Sequence, residues 1–282
     1  MTTNTDTTRP TTLVLGATGK TGRRVAAALR ERGLPVRAAS RSAAFRFDWD
    51  DRGTWGPALD GASAVYLVDS QRPDAADTVG DFSRLAAERG VRRLVLLSAR
   101  EDGDAAATLP ATESAVKESG VPWTILRPGW FSQNFTESDF LHDSIVEGEV
   151  RLPTGTGLEP FIDADDIAAV AVAALTEDGH AGQTYELSGP RLLTFEEAVG
   201  EIARATGRDI RFVPVSVEEY VRSMTARGYP AEIARFLGEL FDWVGQKKHE
   251  YLSDGVRRAL GREPRDFSEY VKSAAAAGAW NA

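Results

Sequence analysis

The chain has 282 residues, 42% of them hydrophobic and 27% charged, enough to build a large core without covalent staples. With no cysteine and only three histidines, it excludes a disulfide framework, a thiolate nucleophile and a cysteine-held metal or iron–sulfur site. Any redox chemistry must come from a bound cofactor. A formal charge of -9 at pH 7, with the basic residues dispersed, argues against nucleic acid or an anionic membrane as the main partner.

Residues 1–10 are polar and threonine-rich, lack the basic start and apolar run of a secretory leader, and read as a frayed tail. No apolar run approaches the roughly 20 residues that span a bilayer, and a cytoplasmic protein is expected. The short run 12–15 ends in a glycine turn, helical spacing takes over at 20–32, Gly33 stops it, and 36–39 is strand-like again, so the first forty residues read as a βαβ unit. The alternation continues with strands at 45–47, 64–68, 94–97 and 123–126 and helices at 54–59, 76–89 and 111–119. This pattern predicts an α/β fold, a Rossmann-like doubly wound parallel sheet with helices on both faces.

After residue 129 an aromatic segment leads into a polar, glycine-rich excursion ending near Pro160. A helix at 163–175 and a strand at 183–187 return to the sheet. The remainder reads as amphipathic helices at 195–206, 217–227, 231–244 and 267–276 with one short strand at 211–213. The expected organisation is a Rossmann domain from 11–129 plus 160–189 and a smaller, mainly helical substrate cap from 130–159 plus 190–282.

Gly16, Thr18, Gly19, Lys20, Thr21 and Gly22 lie between the first strand and the first helix. Glycine there lets backbone approach a pyrophosphate, the helix N-terminus favours the negative charge, and the last glycine permits close helix–strand packing. The GxxGxxG spacing differs from the commoner GxGxxG, and it lacks the four residues that a P-loop places before Gly-Lys-Ser/Thr. The second strand ends in Ala39-Ser40-Arg41-Ser42. An acid here would accept from ribose hydroxyls, whereas Arg41 suits a 2'-phosphate, so NADPH/NADP is expected over NAD; Arg23, Arg24 and Arg37 are substitutes for that role.

The chain resembles the NmrA-like family of the atypical short-chain dehydrogenase/reductase superfamily. The likeness rests on the glycine loop, Arg41, residues 47–51 before Thr54-Trp55, 64–68, 95–98, 119–128 and 161–168, in that order and over nearly the whole chain. It implies NAD(P)H-dependent quinone reductase-like chemistry, with Asp48 and Trp49 near the adenine, the loop after Val68 passing the cofactor, and residues 127–135 lining the nicotinamide and substrate side. It also allows a non-catalytic redox sensor that acts through a protein partner.

Most short-chain dehydrogenases carry a Tyr-x-x-x-Lys pair, in which lysine lowers the tyrosine pKa. The helix at 111–119 has no tyrosine, and Lys117 is expected to face solvent. Ser98 stands where the superfamily's serine follows the fifth strand, but without a base it is a weak acid, suited to orienting a ligand. Two consequences follow: either hydride goes to an acceptor that needs little acid catalysis, such as a quinone, an iminium or an enone, or the dinucleotide is bound without turnover. Trp130, Phe131, Gln133, Asn134 and Phe135, with Tyr220 and Phe241, favour a flat apolar small-molecule substrate. Ser98 and Asn134 are the candidate orienting groups, and Gln133, Asn134, His142 and Tyr185 are the places to seek a proton donor. Asp163, Asp165 and Asp166 open a helix, where acids cap, and Lys247-Lys248-His249-Glu250 lacks a second histidine, so no metal is assigned. Monomer and homodimer both remain open.

Overall fold

The computed structural model describes residues 10–70, 72–100, 108–248 and 250–281. Of the expected tail only Pro10 falls within them, and His249 lies outside. In chain order come β1 (Thr11–Leu15), α1 (Lys20–Glu31), β2 (Val36–Ser40), β3 (Phe45–Arg46), α2 (Trp55–Leu59), β4 (Ala62–Val68), α3 (Ala75–Glu88), β5 (Arg93–Leu97), α4 (Leu109–Lys117) and β6 (Trp123–Pro128). There follow α5 (Asn134–Glu137), α6 (Asp139–Glu147), β7 (Glu149–Leu152), β8 (Leu158–Glu159), α7 (Ala164–Thr176) and β9 (Gln183–Leu187). The chain continues with β10 (Leu193–Thr194), α8 (Phe195–Thr206), β11 (Arg211–Pro214), α9 (Val217–Ala226), α10 (Ala231–Gly245), α11 (Gly255–Leu260) and α12 (Phe267–Ala276).

Seven strands form one sheet in the order β3-β2-β1-β4-β5-β6-β9, with parallel pairing from β3 through β6. This is the Rossmann-like α/β sheet, with its switch point beside β1, where successive crossovers wind in opposite directions. β1 lies inside the sheet between β2 and β4, and its residues 12–15 are buried, as a strand covered on both faces requires.

Two compact units divide the chain. The first comprises residues 1–98, 108–126 and 168–184, and the second comprises 99–107, 127–167 and 185–282. Each has its own core. That of the first gathers Leu13, Leu15, Val65, Leu67, Phe82 and Ile125, and that of the second Phe135, Phe161, Phe195, Phe241 and Phe267.

The 130–160 excursion holds more regular structure than its composition suggests. β7 pairs in parallel with β11, and β8 pairs antiparallel with β10. Such short strands carry no clear period of their own; their ladders depend on partners far along the chain. α11 was also not anticipated: it opens at Gly255, where a β-carbon would stand 2.0 Å from the Glu186 carbonyl oxygen, so only glycine lets this helix approach β9. The expected helix at 54–59 divides into a single 3-10 turn, Arg52–Thr54, and α2.

Arg191 ties three parts of the second unit together. Its Nε donates to Asp266 at 2.7 Å and its Nη2 to Glu201 at 3.0 Å, while Asp266 also caps α12 through the Ser268 amide. The Arg191 guanidinium holds the Asp266 carboxyl well below the usual carboxylate range, and the Ser268 hydroxyl and amide act in the same direction. A lowered folded-state pKa contributes stability above the unfolded value, about 3.9 for aspartate, and that contribution disappears as pH falls through the folded value. Asp266→Asn is therefore expected to lower unfolding stability by about 1–2 kcal/mol at neutral pH. In denaturant melts the gap between variant and wild type should begin to narrow below about pH 4 and go on narrowing as pH falls toward the folded-state value, and a gap that does not narrow over that range would count against the ion pair.

Candidate functional site

The glycine turn between β1 and α1 is built by close approach. Gly16 has φ +61°, a left-handed conformation that favours glycine, and its missing side chain faces Val68, whose Cβ would lie 3.4 Å from an added β-carbon. A β-carbon on Gly22 would fall 2.3 Å from the Gly16 carbonyl oxygen, and one on Gly19 3.2 Å from the same atom. The turn closes through the Gly19 amide, which donates to Gly16 O at 2.9 Å. Gly19 is the N-cap of α1; no side chain caps the helix and no acid occupies its first turn. That arrangement fits a pyrophosphate, whose charge the helix N-terminus would meet. Thr18 is exposed at the tip, whereas Thr21 is buried and turned inward.

At the end of β2, the Ser40 hydroxyl accepts from the amides of Ser42 and Ala43 and fixes the turn. Arg41 is exposed beyond it, with no ion-pair partner among the described residues. The alternative arginines are engaged: Arg37 donates to the carbonyls of Ala58 and Asp60 and stacks over Phe45, and Arg24 donates to Lys20 O. Trp49 donates from Nε1 to Val68 O at 3.1 Å and packs edge-on against Phe47, Trp55 and Phe82. The structure thus brings Gly16, Val68 and Trp49 together. Asp48 builds the loop, its carboxylate accepting from the Asp50 amide and its carbonyl from Trp55 Nε1.

Ser98, just past β5, is buried and donates to Glu113 Oε1 at 2.8 Å. Glu113 is buried on α4, and its other oxygen lies 3.5 Å from Lys117 Nζ. Lys117 therefore does not simply face solvent; it pairs with Glu113 and stands 5.4 Å over the Trp123 ring. Glu113 was missed in the sequence because one glutamate on an amphipathic helix carries no signal. The four-residue step to Lys117, with glutamate where tyrosine is usual, was the available clue.

In the second unit the predicted substrate residues divide by burial. Phe135 is fully buried, with ring centroids 5.3 Å from Phe161 and from Phe267. Trp130 stacks on Phe241 at 5.1 Å, and Tyr220 packs edge-on against the same ring. These four rings are committed to the core. Gln133 is buried too, donating to Asp163 Oδ1 and accepting from the Ala164 amide, both at 2.7 Å, so it ties its loop to the start of α7. Phe131, which bridges Ile162 through its backbone, and Asn134, which accepts from Ser138, are only partly buried.

His142 lies 2.9 Å from Ala279 O and 3.1 Å from Asp143, and burial raises the phenols of Tyr185 and Tyr220 above their ordinary range. Asp163 accepts from the Asp165 amide at the start of α7 and pairs with Arg265, and Asp166, in the first turn, pairs with Arg262. No cluster of three or more metal-ligating side chains occurs among the described residues, and no described helix is long and apolar enough to cross a membrane.

Residues 16–178 match the model of the NAD(P)H-binding family. The chain is 33% identical to an NAD(P)H azoreductase of Xenophilus azovorans, over 94% of this chain and 98% of that one. It is 34% identical to agroclavine dehydrogenase of Claviceps fusiformis, over 93% and 96%. Its fold matches the crystal structure of an NADPH-dependent quinone oxidoreductase of Escherichia coli, with TM-score 0.79 and 21% identity over 93% and 98% of the two chains. The chain belongs to the NAD(P)H-binding family and is an NAD(P)H-dependent oxidoreductase.

Proposed function

We propose that the protein uses NADPH to reduce a small, flat, conjugated acceptor, a quinone, an iminium or an enone. The observation that carries this reading is the Ser98 hydroxyl, which is spent on the buried Glu113 carboxylate, with no tyrosine on α4 to serve as an acid. A dinucleotide of this class supplies a hydride. Acceptors that are already electrophilic take it with little help from a protein acid, so positioning supplies most of the acceleration.

The chain's own groups have separable tasks in this reading. The glycine turn and the α1 N-terminus hold the pyrophosphate, and Arg41 meets the 2'-phosphate. Trp49 and Val68 wall the adenine side. Ser98, oriented by Glu113, offers its lone pairs to a donor on the ligand, and Phe131 and Asn134 remain as residues that touch substrate. The reductase reading is preferred to the sensor reading because relatives 33% and 34% identical over nearly the whole chain are named as an azoreductase and a dehydrogenase.

Two measurements test the proposal. Arg41→Ala should weaken NADPH binding about tenfold in calorimetry and leave NADH within about twofold, because only the 2'-phosphate distinguishes the two. A wild type that binds NADH as tightly as NADPH would refute the preference. With a quinone acceptor, Ser98→Ala should lower kcat/KM by less than about tenfold, against the 100- to 10,000-fold typical of a lost general acid. A loss in that larger range would show that the acceptor requires protonation by the protein.

A further inference from the structure

Arg100 lies three residues beyond β5, its amide donating to Pro128 O at 3.1 Å, at the carboxyl end of the strand, the edge where open parallel sheets receive ligands. It is 2% exposed and is the only buried arginine or lysine among the described residues. A buried guanidinium needs its donors filled, because it has given up its water and cannot lose its proton.

Only one corner of Arg100 is filled. Nη1 donates to Tyr251 O at 3.2 Å, and one face of the guanidinium stacks on the Tyr251 ring at 4.5 Å. Nε and Nη2 have no hydrogen-bond partner among the described residues. These two atoms share one edge of the guanidinium, the edge that pairs with both oxygens of a carboxylate in parallel hydrogen bonds. Gly129 leaves that side bare, since the β-carbon it lacks would stand 3.8 Å from Nε. Tyr251 covers the face of the guanidinium from the surface, being 41% exposed, and its hydroxyl donates to Glu186 at 3.1 Å.

We infer that the Nε–Nη2 edge of Arg100, beside Gly129 and under Tyr251, is a binding site for a carboxylate on a small planar ligand. A single guanidinium fork balances one negative charge, which favours a monoanion over a phosphate dianion. Tyr251, at the surface with its hydroxyl on Glu186, is the group that moves to admit it. Calling that ligand the acceptor substrate rests on the reductase reading above; the carboxylate site does not.

The test is a calorimetric titration of the protein preloaded with NADP, using cinnamate and its uncharged isostere cinnamamide. Wild type should bind cinnamate at least about tenfold more tightly. Arg100→Gln should bind the two alike, and Arg100→Lys should fall between, since an ammonium keeps the charge and loses the fork. Equal or undetectable binding of the two ligands by wild type overturns the inference, as does a cinnamate preference that survives in Arg100→Gln. The first result is what a carboxylate from this chain already paired with Arg100 would produce. NADP affinity should stay within about twofold in Arg100→Gln; a parallel loss would assign the fork to the cofactor and overturn the site. If Arg100→Gln does not fold, the wild-type comparison and Arg100→Lys decide. Failure to oxidise NADPH with uncharged quinones would defeat the reductase reading and leave these binding results untouched.

Discussion

The approach of Gly22 to the Gly16 carbonyl is the constraint on which the first unit turns. A β-carbon at residue 22 would come within 2.3 Å of that oxygen, so α1 can begin directly beyond β1 only if residue 22 has no side chain. Once α1 is seated there, its uncapped N-terminus stands at the carboxyl end of the central strand. Gly16 adds the left-handed turn and presses against Val68, and Val68 in turn receives the Trp49 indole. A tight turn with a bare helix N-terminus, and the tryptophan set beside it, thus follow from one steric condition, extended by a single hydrogen bond. The same device recurs in the second unit, where Gly189 and Gly255 leave room for the carbonyls of Phe161 and Glu186.

Two buried carboxylates are each satisfied twice over. Glu113 is buried but accepts from Ser98 and faces Lys117; Asp163 is buried but receives Gln133 and Arg265. Each carboxylate has both a hydrogen-bond donor and a cation, the condition under which a buried charge is tolerated. The Ser98–Glu113 bond also narrows the chemistry. A serine hydroxyl that donates to a carboxylate is oriented and less available as an acid, which suits an oxidoreductase whose acceptor accepts hydride readily.

Aromatic residues in the second unit show why a sequence pattern can mislead about a site. Trp130, Phe135, Tyr220 and Phe241 are the kinds of side chain that line a pocket for a flat molecule, and their composition supports that reading equally well. In the folded chain they meet Phe161, Phe195 and Phe267 in edge-on and stacked contacts and form the unit's core. Whether an aromatic ring serves core or ligand depends on which rings share its neighbourhood, and those partners lie as far apart in the chain as Phe135 and Phe267.

The sequence by itself determined the alternation of strands and helices, the parallel sheet, the place of the glycine turn, and the arginine at the end of β2. These are local properties: period, turn residues and helix-terminus chemistry are written within a dozen residues. The strands at 183–187 and the helices at 195–206 and 267–276 were legible for the same reason. Tertiary structure alone decided the rest. It joined β7 to β11, placed Glu113 against Ser98, engaged Arg37 so that Arg41 is the exposed guanidinium at the end of β2, and buried Arg100 with one edge unfilled. Each of these depends on a partner distant in sequence, and an amino-acid pattern records a residue's own chemistry without recording what will be packed against it.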